Sequence, residues 1–165
     1  VTEERYLQVI RSKTAKLFEA ATELGSLLAG APETAIAAAA EYGRSLGTAF
    51  QLIDDVLDYS GNAADIGKNV GDDLREGKPT LPLIYLMQHG TAEERELVRN
   101  CIATGDEAHF PEVLSAITHS GALQYTRDQA AVARDRAKAA LASLPAGPFK
   151  DALQTLADFA VDRNH

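Results

Sequence analysis

Phe50-Gln51-Leu52-Ile53-Asp54-Asp55-Val56-Leu57-Asp58 is the stretch from which the rest of the chain is read. Each residue of an α-helix advances by about 100°, which brings Gln51, Asp54 and Asp58 within about 60° of one another, with Asp55 about 40° further round. Phe50, Ile53, Val56 and Leu57 cover the opposite arc, so such a helix is pinned to a core on one side while carboxylates crowd together on the other. Crowded carboxylates repel unless something cationic sits among them. On spacing alone two readings stay open, a solvated acidic face and a cation site. The neighbouring sequence favours the second: Gly67-Lys68 follows the acids, then Gly77-Lys78-Pro79-Thr80. Oxygen-only ligands suit a hard ion such as Mg²⁺, which keeps several waters and is shared with the phosphates of a substrate. Lysines nearby complete the charge balance.

Composition narrows the function classes. The 165 residues carry 16 basic and 24 acidic side chains, a net charge of −8, and no basic run, which argues against a nucleic-acid partner. An anionic ligand must therefore be met locally, by a few placed lysines or a metal. The single cysteine, Cys101, makes no internal disulfide, and no stretch reads as a signal or a transmembrane span, so a reducing, cytoplasmic setting is expected. His89, His109, His119 and His165 lack any HExxH-like metal spacing and read as surface or satisfied core residues. Val1 opens the chain and Met87 is its one methionine, so further sequence is expected before Val1.

The remaining pattern is helical almost throughout. Residues 3–28 read as one amphipathic helix with Tyr6, Ile10, Leu17, Ala21, Leu24 and Leu28 on its apolar face, broken near Gly30-Ala31-Pro32. Lys13 and Thr14 interrupt that face at its midpoint. A charge there is costly unless it is paired or aimed into a polar cavity, or unless it snorkels to water. A second helix from Glu33 to Tyr59 carries Ala35, Ala39, Gly43 and Gly47 at four-residue steps, a ridge that invites close approach by another helix or a ligand; each mid-helix glycine costs roughly 1 kcal/mol against alanine. Ser60 to Lys78 reads as a glycine-rich loop with a helical turn at Asp72 to Glu76, and is neither a Walker A loop nor a dinucleotide fingerprint. Further helices are expected over 81–88, 92–103 behind a Thr91/Glu94 capping box, 111–119, 124–144 and 149–163.

Taken together, Lys13-Thr14-Ala15, Phe50-Gln51-x-x-Asp54-Asp55-x-x-Asp58, Gly67-Lys68-x-x-Gly71-x-Asp73-Leu74 and Gly77-Lys78-x-Thr80-Leu81-Pro82 resemble, in order and spacing, the C-terminal half of the trans-isoprenyl diphosphate synthases, the bacterial octaprenyl enzymes most of all. The resemblance spans essentially the whole chain. It implies an all-α fold, a helical bundle around a central cavity with two aspartate-rich motifs at its mouth. On this reading residues 1–165 are the C-terminal part of a single synthase domain, and the first aspartate-rich motif lies before Val1.

The resemblance also implies roles. Asp54, Asp55 and Asp58 would hold Mg²⁺, Asp55 in support of the other two, and the metal would hold the diphosphate of an allylic substrate. Lys13 and Lys68 would grip that diphosphate. Thr14 and Gln51 would face the reacting carbons and stabilise developing positive charge, and Lys78 would end a segment that closes over the site. The implied reaction adds isopentenyl diphosphate to the allylic diphosphate, lengthening a prenyl chain in a homodimeric enzyme. Two other classes share these features: a non-catalytic partner subunit, which commonly loses the aspartates, and a class I terpene cyclase, against which the Gly-Lys segments count.

Overall fold

The computed structural model of the chain describes residues 1–60, 71–105 and 107–163, and every regular element among them is helical. The elements are α1 (Glu3–Ile10), a π-helical turn (Arg11–Ala15), α2 (Lys16–Leu28), α3 (Glu33–Ser60), α4 (Asp72–Arg75), α5 (Leu81–His89), α6 (Ala92–Thr104), α7 (Phe110–His119), α8 (Ala122–Ala140) and α9 (Pro148–Asp162). Short 3₁₀ turns precede α7 and follow α8. The all-α expectation holds, and the observed boundaries lie within a few residues of those read from periodicity.

Local chemistry explains the ends. Thr91 and Glu94 close the expected capping box at the start of α6, the Glu94 amide donating to the Thr91 hydroxyl (3.2 Å) and the Thr91 amide to the Glu94 carboxylate (2.7 Å). Pro82 sits in the first turn of α5, where its missing N–H is no loss. Gly105 ends α6 at φ 65°, a left-handed position that a side chain would resist.

The chain forms two compact units. One combines Val1–Tyr6 with Asp54–Arg127, and its core holds Tyr59, Leu74, Leu83, Leu86, Val98, Phe110, Val113 and Ile117. The other combines Leu7–Ile53 with Asp128–Arg163 around Tyr42, Leu46, Ala137, Leu141, Ala157 and Ala160, with the Tyr42 hydroxyl donating to the Leu153 carbonyl (2.8 Å).

In the second unit the glycine ridge of α3 serves close helix packing. A Cβ built on Gly43 would lie 2.4 Å from the Phe18 carbonyl oxygen, and one on Gly47 would lie 2.6 Å from Ala15 Cα. Beside this contact the Thr22 hydroxyl donates to the Ala39 carbonyl (2.6 Å). Glu19, nearly buried, accepts from Arg44 Nε (3.0 Å) and Lys16 Nζ (2.8 Å). Those two bonds, Arg44's first, hold its carboxyl down at about 2.

The expected apolar face of residues 3–28 needs correction. Tyr6 and Ile10 are buried as read, but Leu17, Leu24 and Leu28 are 76%, 54% and 87% exposed. The cause is the π turn, which spends one extra residue. Beyond it the inward positions move to Ala15, Phe18, Glu19 and Thr22, one residue later than an unbroken 3.6-residue period places them. Lys13 lies within that turn and is exposed, so it interrupts no buried face.

Candidate functional site

The residues singled out in the sequence fall in both units. In the unit built from Leu7–Ile53 and Asp128–Arg163, Lys13 and Thr14 sit on the π turn and Gln51 on α3. The Thr14 hydroxyl donates to Gln51 Oε1 at 2.8 Å, joining two side chains 37 positions apart. The contact of Gly47 with Ala15 explains why: with no side chain at Gly47, the backbone beside Thr14 comes close to α3 one turn before Gln51. Both side chains are half-buried, and each keeps oxygen lone pairs beyond the shared bond. Such a pair can face a centre of growing positive charge.

In the unit built from Val1–Tyr6 and Asp54–Arg127, the three aspartates of α3 have different surroundings. Asp54 is half-exposed. Asp55 is 2% exposed and accepts the hydroxyl proton of Tyr6, itself 5% exposed. Asp58 is half-buried, and its two carboxylate oxygens accept the amides of Asp72 (3.2 Å) and Asp73 (3.1 Å), while the Gly71 amide donates to the Asp58 carbonyl (2.8 Å). The end of α3 is thereby tied to the start of α4. Lys78 pairs with Asp73 (3.2 Å) and Glu76, which raise its pKa. Under the acids lie two buried phenols, Tyr6 and Tyr59; the Tyr59 hydroxyl shares a hydrogen bond with Thr80 (3.1 Å).

Burial pushes the Asp58 carboxyl up to about 6, and the neighbouring Asp73 and Asp72 carboxylates add to the rise against the two amide bonds. A cation would relieve that crowding. Among the described residues no group of three or more His, Cys, Asp or Glu side chains is placed to hold a metal by itself. An all-oxygen, partly solvated donor set of this kind fits Mg²⁺, which takes one or two carboxylates and fills its octahedron with water and phosphate oxygens. Asp54 and Asp58 have that character; Asp55, in the interior with Tyr6, is placed to support them.

Lys68 lies outside the described residues. His89 stacks on Tyr85 at 4.4 Å and His109 pairs with Glu112, both on the surface, as read from their spacing. Two residues of the site carried no role in the sequence reading. Asp73 was visible within a quoted motif, whereas the bond from Tyr6 to Asp55 spans 49 positions and leaves no local signal.

Comparison with known proteins decides the family. The model of the polyprenyl synthetase family matches residues 1–117. The chain belongs to the polyprenyl synthetase family. It is 50% identical over 165 residues to the octaprenyl diphosphate synthase of Escherichia coli (strain K12), covering 99% of this chain and 51% of that protein. The polyprenyl synthase of Caulobacter crescentus CB15, solved with calcium and isoprenyl diphosphate, superposes with a TM-score of 0.94 at 46% identity, covering 100% of this chain and 51% of that one. The heptaprenyl diphosphate synthase of Staphylococcus aureus superposes with a TM-score of 0.94 at 27% identity, over 100% and 52%. This polyprenyl synthetase chain thus has the all-α isoprenoid synthase fold and spans about half the length of the curated relatives it matches.

Proposed function

We propose that the chain is the C-terminal part of a single prenyltransferase domain that condenses isopentenyl diphosphate with an allylic diphosphate into a long-chain all-trans polyprenyl diphosphate, a quinone side-chain precursor. The observation that carries this reading is the crowded carboxylate site at the junction of α3 and α4, where Asp58 holds the amides of Asp72 and Asp73 and Lys78 pairs with Asp73. A relative solved with calcium and isoprenyl diphosphate supports a divalent cation in such a site.

In this reading Asp54 and Asp58 hold Mg²⁺, with Asp55 in support. The ion, when bound, neutralises negative charge on the departing diphosphate. Lys13, Lys68 and Lys78 supply positive charge to the same group, and Lys78 does so by exchanging Asp73 and Glu76 for phosphate oxygens. Thr14 and Gln51 present fixed oxygen dipoles to the allylic cation as it forms, a stabilisation that needs no reorganisation because their mutual bond has already oriented them. The double bond of isopentenyl diphosphate then adds to the cation and a proton leaves, extending the chain by one isoprene unit.

The enzyme works as a homodimer in the cytoplasm, and the 165-residue chain by itself does not elongate. In support, the relatives are about twice as long, and among the described residues no helix is long and apolar enough to cross a membrane. The test is to supply the full-length protein with farnesyl and isopentenyl diphosphates and to size the product. Asp54→Ala lowers turnover by about 10²–10³-fold while the helical circular dichroism stays intact. Turnover unchanged in that variant sinks the assignment.

A further inference from the structure

One interaction at the acidic site belongs to no motif. The Tyr6 hydroxyl donates to Asp55 Oδ2, with both residues in the interior of the same unit. A buried carboxylate needs donors, since an unsatisfied charged group in the interior costs far more than a lost surface hydrogen bond. The phenol is well suited to the task. It is neutral, so it adds no competing cation, and its ring is rigid, so the donor stays at one point. Burial and the Asp55 charge both keep it protonated. Its own helix start is fastened as well, because one turn earlier Glu3 accepts the Tyr125 hydroxyl (2.9 and 3.0 Å), and Tyr125 stacks on Tyr85 at 4.8 Å. Two phenol–carboxylate bonds thus anchor the first turn of α1 against the unit that carries the aspartates.

We propose that Tyr6 is a positioning residue of the metal–diphosphate site: by fixing the Asp55 carboxylate from below, it sets the orientation and affinity of Asp54 and Asp58 without touching ion or substrate. Partners that orient metal-binding carboxylates from behind typically change metal affinity by about 10–100-fold when removed. The inference rests on the reading of the aspartates under Proposed function. Three variants of the full-length protein separate the two: Tyr6→Phe, Tyr59→Phe and Asp54→Ala. Tyr59→Phe removes a phenol of like burial whose hydrogen bond goes to Thr80 rather than to a carboxylate, so it reports the merely structural effect.

Mn²⁺ binding in the presence of inorganic pyrophosphate is followed by electron paramagnetic resonance, beside the Mg²⁺ midpoint of turnover and the melting temperature. Tyr6→Phe weakens Mn²⁺ binding and raises the Mg²⁺ midpoint by at least about tenfold, with kcat at saturating metal within about threefold of wild type; Tyr59→Phe lowers the melting temperature yet shifts the metal midpoint less than about twofold. Wild-type Mn²⁺ affinity in Tyr6→Phe, or equal shifts in both tyrosine variants, overturns the positioning role alone. Wild-type Mn²⁺ affinity in Asp54→Ala overturns the metal reading beneath it, and the role of Tyr6 with it.

Discussion

Replacing Gly47 by alanine tests the helix contact on which the Thr14–Gln51 pair depends. The new methyl would stand 2.6 Å from Ala15 Cα, 3.0 Å from Phe18 Cδ2 and 3.1 Å from Ala15 Cβ. Ordinary carbon contacts begin near 3.5 Å, so the π turn and α3 must part by about 1 Å. Because a backbone atom blocks the way, no side-chain rotation relieves the clash. Overpacking of this kind costs about 1–3 kcal/mol, while the gain from alanine over glycine inside a helix returns about 1 kcal/mol. The net loss is about 1–2 kcal/mol, or a fall in melting temperature of roughly 2–4 °C per kcal/mol for a chain of 150–250 residues. Gly25→Ala supplies the opposite case. Its Cβ would meet nothing within 4 Å, so helix propensity acts alone and stability rises by up to about 1 kcal/mol. Thermal and urea unfolding of both variants are the assays. Parting the elements also pulls Thr14 from Gln51, so turnover of the full-length Gly47→Ala protein falls with stability. A Gly47→Ala protein that melts at or above the wild-type temperature, as Gly25→Ala does, refutes the close approach.

Thr14→Val keeps the shape of the side chain and removes its hydroxyl; kcat drops on the order of tenfold to a hundredfold with little change in KM for the allylic substrate, as steady-state kinetics would show. Glu19, held at about 2, stabilises the fold above the ordinary carboxylate range near 4.5, and that stability is lost as pH falls toward 2. The full shift corresponds to about 3 kcal/mol, reduced to about 1–2 kcal/mol because Arg44 and Lys16 reach into solvent. Urea unfolding from pH 7 to 2 should therefore find Glu19→Gln less stable at pH 7 and flatter through the acid window; parallel curves would contradict the pairing. Thr91→Ala breaks one half of the capping box and lowers stability by about 0.5–2 kcal/mol in thermal unfolding, without altering metal dependence.

The helices were legible in the sequence wherever the cause is local. Thr91 and Glu94 announce the start of α6 three residues apart, Gly105 its end, and the step of four from Ala35 to Gly47 anticipates a close helix contact because only small residues permit one. The apolar face of residues 3–28 was misread from Leu17 onward because periodicity assumes one pitch, and a π turn changes pitch without a residue type of its own. Gln51, Asp54 and Asp58 could be grouped by angle along one helix. Their separate surroundings could not be foreseen, since the amides that reach Asp58 and the phenol that reaches Asp55 come from 14 to 49 positions away. Lys68 awaits a description of residues 61–70.

The π turn at Arg11–Ala15 also makes this segment intolerant of length change where it tolerates substitution. Losing a single codon there would leave an ordinary helix of ordinary composition, yet every later side chain would swing by about 100°. Phe18 and Glu19 would rotate away from α3, Leu17 would take their place, and Thr14 would no longer reach Gln51. An alignment that closes a one-residue gap inside this stretch for the sake of tidiness would therefore pair residues that face opposite ways.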